Sequence, residues 1–406
     1  MRSLLTLSLV FLSLWSAAQF YWGDDDYNPI STAVSYLQLA PDARSVGLGE
    51  SGVASSADVF SMHWNPAKYS FMDDRLGIAV SSSNYFWMKS MWKWSDDLTL
   101  RTGFYTLHSC FKINDKSVVA SSLTYFNAFD EITFTDEFGN EIGTFKPYDL
   151  SLDFAYSYKF SEIFSASMAA RYIFSRMLTG QFIQGEETKN GHSVAFDLAV
   201  YYQKPLDLGS RQGEIRWGVD LSNIGMKMSY ITDADRKNFL PTNLRLGAGF
   251  NFHFNESHAL SYQFDVNKLL VPTPPVYQRD SLGQPVYDDD GNPAIADGMD
   301  PNVSVFKGMI QSWYDAPGGF KEEMQEWSFA GGFEYRYKTW LSARTGLHYQ
   351  SKTKGNWRYF TAGAGFRISF FAMDLGLKIP IGRKIKDDYI SIFYLRTSVA
   401  IGINAD

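Results

Sequence analysis

Side chains able to do chemistry are present in this chain, but their spacing does not assemble a reactive centre. The six histidines, His63, His108, His192, His253, His258 and His348, are scattered. His253 and His258 face each other across a short turn, yet a zinc site needs three or four converging ligands and no third lies within reach. The single cysteine, Cys110, excludes an internal disulfide and any Cys-based zinc site. Neither a G-x-S-x-G elbow nor an H-E-x-x-H pair occurs. Asp288-Asp289-Asp290-Gly291-Asn292 lacks the alternate-residue ligand spacing of a calcium loop and reads as a solvated turn. Gly47-Leu48-Gly49-Glu50-Ser51-Gly52 matches G-x-G-x-x-G, but a dinucleotide site also needs a buried strand before it, and Ser31 to Arg44 has no strand pattern. Glycines at Gly47, Gly49 and Gly52 instead suit a backbone lying close against a wall. The sequence therefore points to no catalytic residue, no cofactor and no metal.

The elements that position these residues follow from composition and periodicity. With 45% hydrophobic, 17% aromatic and 20% charged positions over 406 residues, the chain can bury a large core. A formal charge of -7 offers no basic face for nucleic acid. Met1-Arg2, the apolar run Leu4 to Leu14 and the small residues Ser16-Ala17-Ala18 have the order of a signal peptide, here 1–18, so export is expected. Beyond it the grammar has period two. Tyr148, Leu150, Leu152, Phe154, Tyr156, Tyr158 and Phe160 alternate with Asp149, Ser151, Asp153, Ala155, Ser157 and Lys159. Runs of this kind start near Arg75, Phe104, Ser117, Tyr148, Phe164, His192, Ile215, Asn243, His258, Trp327, Leu341, Arg358, Phe371 and Tyr389. Their connections alternate between short and long. That rhythm predicts an all-β fold: a transmembrane outer-membrane barrel of about 14 antiparallel strands over 73–406, short turns on the periplasmic side and long loops outside. A soluble sandwich would instead place polar residues outside and cover the apolar face with a second sheet.

Strands about 4.8 Å apart and tilted by about 40° close into a backbone cylinder roughly 28 Å across, with a bore of about 16 Å. A helix about 11 Å wide fits such a bore. A folded domain with a radius of gyration of about 13 Å does not. Residues 19–72 precede the first strand, and the small inward side chains leave room for them as a plug. Trp64 and Asn65-Pro66-Ala67 are expected to pack within or beneath the periplasmic mouth, with Asn65 and Pro66 part of the plug motif.

The leading segment also carries a resemblance. Pro41-Asp42-Ala43-Arg44-Ser45-Val46-Gly47-Leu48-Gly49-Glu50-Ser51-Gly52-Val53-Ala54, then Trp64-Asn65-Pro66-Ala67-Lys68-Tyr69, resembles the opening of the PorV family of the Bacteroidota type IX secretion system. Ser222-Asn223-Ile224-Gly225, Leu240-Pro241-Thr242-Asn243 and Asp265-Val266-Asn267-Lys268-Leu269-Leu270-Val271-Pro272-Thr273 extend it over nearly the whole mature chain. The glycine and Asn-Pro-Ala skeleton is shared more broadly with FadL-type transporters. The resemblance implies a FadL-like barrel in the outer membrane, embedded in its lipid, that recognises the C-terminal signal domain of secreted cargo. It also implies two partners, the translocon channel (SprA or Sov) that supplies cargo and the PorU sortase complex that receives it. The alternative is a FadL-like channel for fatty acids or other hydrophobic small molecules.

The loop 269–326 is long enough to suggest a function. Asp300-Pro301 opens a helical pattern in which Val303, Phe306, Ile310 and Trp313 share a face, and Phe320, Met324 and Trp327 repeat it. Helices this short are marginal alone, so their apolar faces are expected to dock, on the barrel mouth or on a partner protein. Trp313, Tyr314 and Phe320 are the candidate partner-binding residues.

Overall fold

A computed structural model describes residues 27–84, 103–127, 132–135, 141–177, 182–183, 186–209, 211–231, 237–289, 291–381 and 394–403. The expected signal peptide lies outside these residues. Fourteen antiparallel strands close into one barrel. They are β1 (Leu76–Asn84), β2 (Gly103–Asn114), β3 (Ser117–Asn127), β4 (Tyr148–Ser161), β5 (Phe164–Arg176), β6 (Gly191–Asp207) and β7 (Gln212–Gly225). The second half comprises β8 (Asn243–Asn255), β9 (His258–Leu269), β10 (Ser328–Tyr337), β11 (Leu341–Tyr349), β12 (Arg358–Ile368), β13 (Phe371–Pro380) and β14 (Tyr394–Ile403). Each begins within a few residues of the start expected from periodicity, and the expected start of the last one, Tyr389, lies outside the described residues. Pairing of Leu76 with Ile403 and of Ser82 with Thr397 closes the cylinder and sets the register of the last strand.

The period-two alternation sorts residues in the sense opposite to that of a soluble protein. On β4 the apolar Phe154 is 58% exposed, while Ser151 and Asp153 are buried in the lumen. Such a wall is stable only where lipid meets its outer face. Outward aromatic side chains form two belts. Near the long loops Tyr125, Tyr148 and Phe174 follow one another at 5.7 Å between ring centres. Near the short turns Tyr202 stacks on Trp217 at 5.3 Å. Amphipathic rings at both borders match the two membrane interfaces.

Residues 27–72 thread this cylinder from end to end. The Asn28 backbone donates to Thr353 O at 2.9 Å and Ala33 to Phe239 O at 2.9 Å, both in long loops. At the other end Ala67 O accepts from Ser165 Oγ at 2.7 Å, next to the short turn after β4. Between them lie α1 (Ala43–Gly47), α2 (Ser61–Trp64) and a 3-10 segment, Pro66–Phe71. Asp42 caps α1 by accepting from the Ser45 amide at 2.7 Å. In the loop beyond β9 stand α3 (Val305–Gln311) and α4 (Phe320–Gln325).

Candidate functional site

Two regions concentrate unusual chemistry, the plug–wall contact and the loop layer above it. In the first, glycine meets glycine. A Cβ at Gly346 of β11 would stand 2.4 Å from the Gly49 nitrogen, and one at Gly363 of β12 would stand 3.0 Å from Gly47 Cα. Gly49 has φ +75, a conformation that glycine adopts without cost. A Cβ at Gly52 would lie 2.5 Å from the Trp64 ring. Polar pairs fix this contact. Asp265 accepts from the Gly52 and Val53 amides at 2.6 and 2.9 Å. Thr361 Oγ1 accepts from the Gly49 amide at 2.9 Å and donates to Gly47 O at 3.2 Å. Arg44 pairs with Asp58 at 2.9 Å within the plug and with Glu334 of the wall at 3.2 Å, and Glu50 pairs with Lys378 of the wall. Asn65 Nδ2 donates to Val200 O at 2.9 Å and to Val53 O at 3.3 Å, and its Oδ1 accepts from the Ala67 amide, with Pro66 opening the 3-10 segment. These buried charges are paired, as a low-dielectric setting demands.

In the loop layer α3 and α4 are inverted amphipathic helices. The acidic face of α4 points inward, whereas α3 turns Gly308 and Gln311 inward and leaves Lys307 exposed. Lys268 at the end of β9 is 1% exposed and pairs with Glu326 at 2.6 Å and Glu323 at 3.2 Å. Lys354 pairs with Glu322 at 2.6 Å and with Glu326 at 3.1 Å. Thr273 donates its hydroxyl to Glu326 and its amide to Asp315 at 3.1 Å. Burial pushes the Asp315 carboxyl up to about 6, helped by Glu326 and Glu323 nearby and opposed by the bonds from Thr273 and Gln311. Glu322 is partly desolvated, but the bond and charge of Lys354 hold its carboxyl below the usual range.

The apolar faces point outward. Phe306 is 72% exposed, Ile310 65%, Trp313 46%, Tyr314 61% and Phe320 81%, with Met324 also in the open. Trp313 packs edge-on against Trp327 at 5.9 Å, and Lys268 sits beneath both rings. The structure thus groups Trp313, Tyr314 and Phe320 on one layer, and it places Gly47, Gly49, Gly52, Asn65 and Pro66 together in the lumen. The two helices sit on the barrel mouth, but not by the apolar faces expected to dock: α4 meets it through Glu323 and Glu326 on Lys268, and α3 through Gly308 against Phe239 and Pro272. Lys354, Asp315 and Asn28 escaped the sequence reading, and Lys268 stood in it only as part of the resemblance segment Asp265 to Thr273. The signal was available in Glu322, Glu323 and Glu326, an acidic stripe at helical spacing between Phe320, Met324 and Trp327. The histidine pair separates onto different partners, His253 to Asn251 and His258 to Tyr335. Among the described residues no group of three or more acidic, His or Cys side chains could hold a metal ion.

Residues 23–276, more than half of the chain, match the family model described as type IX secretion system protein PorV. The chain belongs to the PorV family. It is thus a non-enzymatic component of the type IX secretion system, built as an outer-membrane barrel. No curated protein matches it. Among solved structures it is similar to the toluene transporter TbuX of Ralstonia pickettii, with 11% identity, TM-score 0.47 and coverage of 89% of this chain and 96% of that one. The toluene transporter TodX of P. putida gives 10% identity, TM-score 0.48 and coverage of 90% and 99%. A FadL homologue of Pseudomonas aeruginosa gives 11% identity, TM-score 0.41 and coverage of 93% and 100%.

Proposed function

We propose that this PorV family member binds the C-terminal signal domain of secreted cargo and carries it from the translocon channel (SprA or Sov) to the PorU sortase complex. The work is done at the cell surface by the loop 269–326. The observation that carries this reading is the inverted packing of α3 and α4. Six large apolar side chains, Phe306, Ile310, Trp313, Tyr314, Phe320 and Met324, stand in the open while the carboxylates and lysines beneath them are sequestered. Exposed apolar surface on this scale, rimmed by polar residues, is characteristic of a protein-binding face. Membership in the PorV family supplies the class of partner. The plug supports the same reading, since a lumen holding residues 27–72 has no room for a folded domain. The alternative, a channel for fatty acids, gains less support. The lumen cavity lined by Tyr36, His108 and Ser151 amounts to about 20 Å³, room for water but not for a hydrocarbon chain, and the larger apolar pocket of about 390 Å³, beside Val80, Leu107 and Leu123, lies against the outward-facing side chains of the wall.

Pull-down of a cargo signal domain, by wild type and by a Trp313→Ala/Phe320→Ala variant at equal outer-membrane abundance, tests the proposal. Aromatic hot spots at interface centres contribute about 2 kcal/mol or more each, about thirtyfold per residue, so loss of both should lower capture by more than about a hundredfold while the barrel stays inserted. Equal capture would move recognition to other loops, including those around Trp92 and Asp136, which lie outside the described residues.

A further inference from the structure

The loop face and the plug meet at one point. Asn28, in the first stretch of the plug, donates from Nδ2 to Glu322 Oε1 of α4 at 3.1 Å and to Pro274 O at 2.9 Å, and from its backbone to Thr353 O at 2.9 Å. Glu322 is the residue that Lys354 pairs with, and Thr353 Oγ1 donates to Gln325 of α4 at 2.9 Å. One residue therefore joins α4 and the start of the 269–326 loop through its side chain and the loop carrying Lys354 through its backbone. A second contact reaches α3. The Ala33 amide holds Phe239 O at 2.9 Å, and the Phe239 ring lies so close to Gly308 of α3 that a Cβ there would stand 2.7 Å from it. Deeper in the lumen the same segment is locked by glycine contacts and ion pairs to β10, β11, β12 and β13.

We propose that Asn28 is the pin that sets the orientation of the capture face, so that α3 and α4 keep their apolar sides outward only while the N-terminal segment of the plug is seated. The physical reason is charge. The inward face of α4 carries Glu322, Glu323 and Glu326 against two ammonium groups, Lys268 and Lys354, and Asp315 adds a further carboxyl nearby. Such an acid-rich layer is held by neutral donors as well as by lysines, and Asn28 donates to it from outside the loop. Withdrawing Asn28 leaves Glu322 with one fewer donor and cuts three hydrogen bonds that cross between plug and loops. Helices of seven and six residues do not persist without such anchors. Asn28, Glu322 and Lys354 are on this view positioning residues, and a partner that pulls on the N-terminal segment would loosen the face that binds cargo.

The proposal rests on the reading of this loop as the capture face, and its test is chosen to be independent of capture. Amide hydrogen exchange of the full-length protein in detergent is compared between wild type, Asn28→Ala and Asn28→Asp. Asn28→Ala should speed exchange of amides in Val305–Tyr314 and Phe320–Glu326 by about tenfold, with those of β9 and β10 unchanged. Asn28→Asp, which sets a second carboxylate against Glu322, should speed them further. Unchanged loop exchange in both variants would overturn the pin. Should either variant insert poorly, Lys354→Met, which cuts the same knot from the barrel side, gives the same readout. If exchange rises in Asn28→Ala while the Trp313→Ala/Phe320→Ala variant still captures cargo, the pin stands and the capture reading fails.

Discussion

Phe154 and Ser151 sit three positions apart on β4 and face different solvents, Phe154 the lipid and Ser151 the plug. Replacing Phe154 with Arg places a charge in hydrocarbon and should cost about 2 to 4 kcal/mol if the position lies near the midplane, whereas Ser151→Ala removes only a hydroxyl from a packed lumen and should cost much less. Heat-modifiable gel mobility and urea unfolding of the two variants report the difference, and equal tolerance would contradict the wall register. The same residue-scale logic accounts for the glycines. The sequence shows a motif-like cluster at Gly47, Gly49 and Gly52, but only the fold shows what each needs room for. The partners at Gly346 and Gly363 are some 300 residues away in the chain, beyond the reach of any local pattern.

At the scale of elements, the carboxylates beneath the loop, Asp315 between α3 and α4 and Glu322 on α4, make it sensitive to pH. Asp315 has a carboxyl pushed up to about 6, above its value of about 4 in the unfolded chain. Between about pH 4 and 6 the folded loop therefore binds more protons than the unfolded one, and its stability falls as pH rises through that window. Glu322 works in the opposite sense, since its lowered value gives stability that is lost only as pH falls below the usual carboxylate range. From pH 5 to 7.5 the Asp315 effect should dominate. Loop amides, corrected for intrinsic exchange, are expected to be better protected at pH 5, and Asp315→Asn should remove most of that dependence. The sequence pattern located α3 and α4 through Phe306, Ile310, Phe320 and Met324, but the helix expected to open at Asp300-Pro301 begins at Val305 with Ser304 at its N-cap, which leaves Val303 outside it. Its apolar period does not say which side faces the protein, because a helix whose inner face is salt-bridged carries the same stripe as one whose inner face is apolar.

For the whole molecule, the plug and barrel form one interlocked body. Removing residues 20–60 takes Arg44 and Glu50 away from Glu334 and Lys378, leaves the glycine stripe of β10 to β13 facing water, and opens the bore. Conductance in a planar bilayer should rise for a correctly folded deletion, and unchanged conductance would mean that the segment does not block the lumen. The sequence alone determined the strand number, the sides on which loops and turns fall, and the family. Each rests on a local signal, either a period of two that a lipid-facing wall imposes on every strand or contiguous motif segments. Only the tertiary structure decided that the plug enters at the long-loop end and that the apolar stripes of the loop face outward. The same structure placed Asn28 between plug and loop. Those facts depend on pairings such as Asn28 with Glu322 and Lys268 with Glu326, which join residues distant in the chain through charge and shape and leave no period or motif along it.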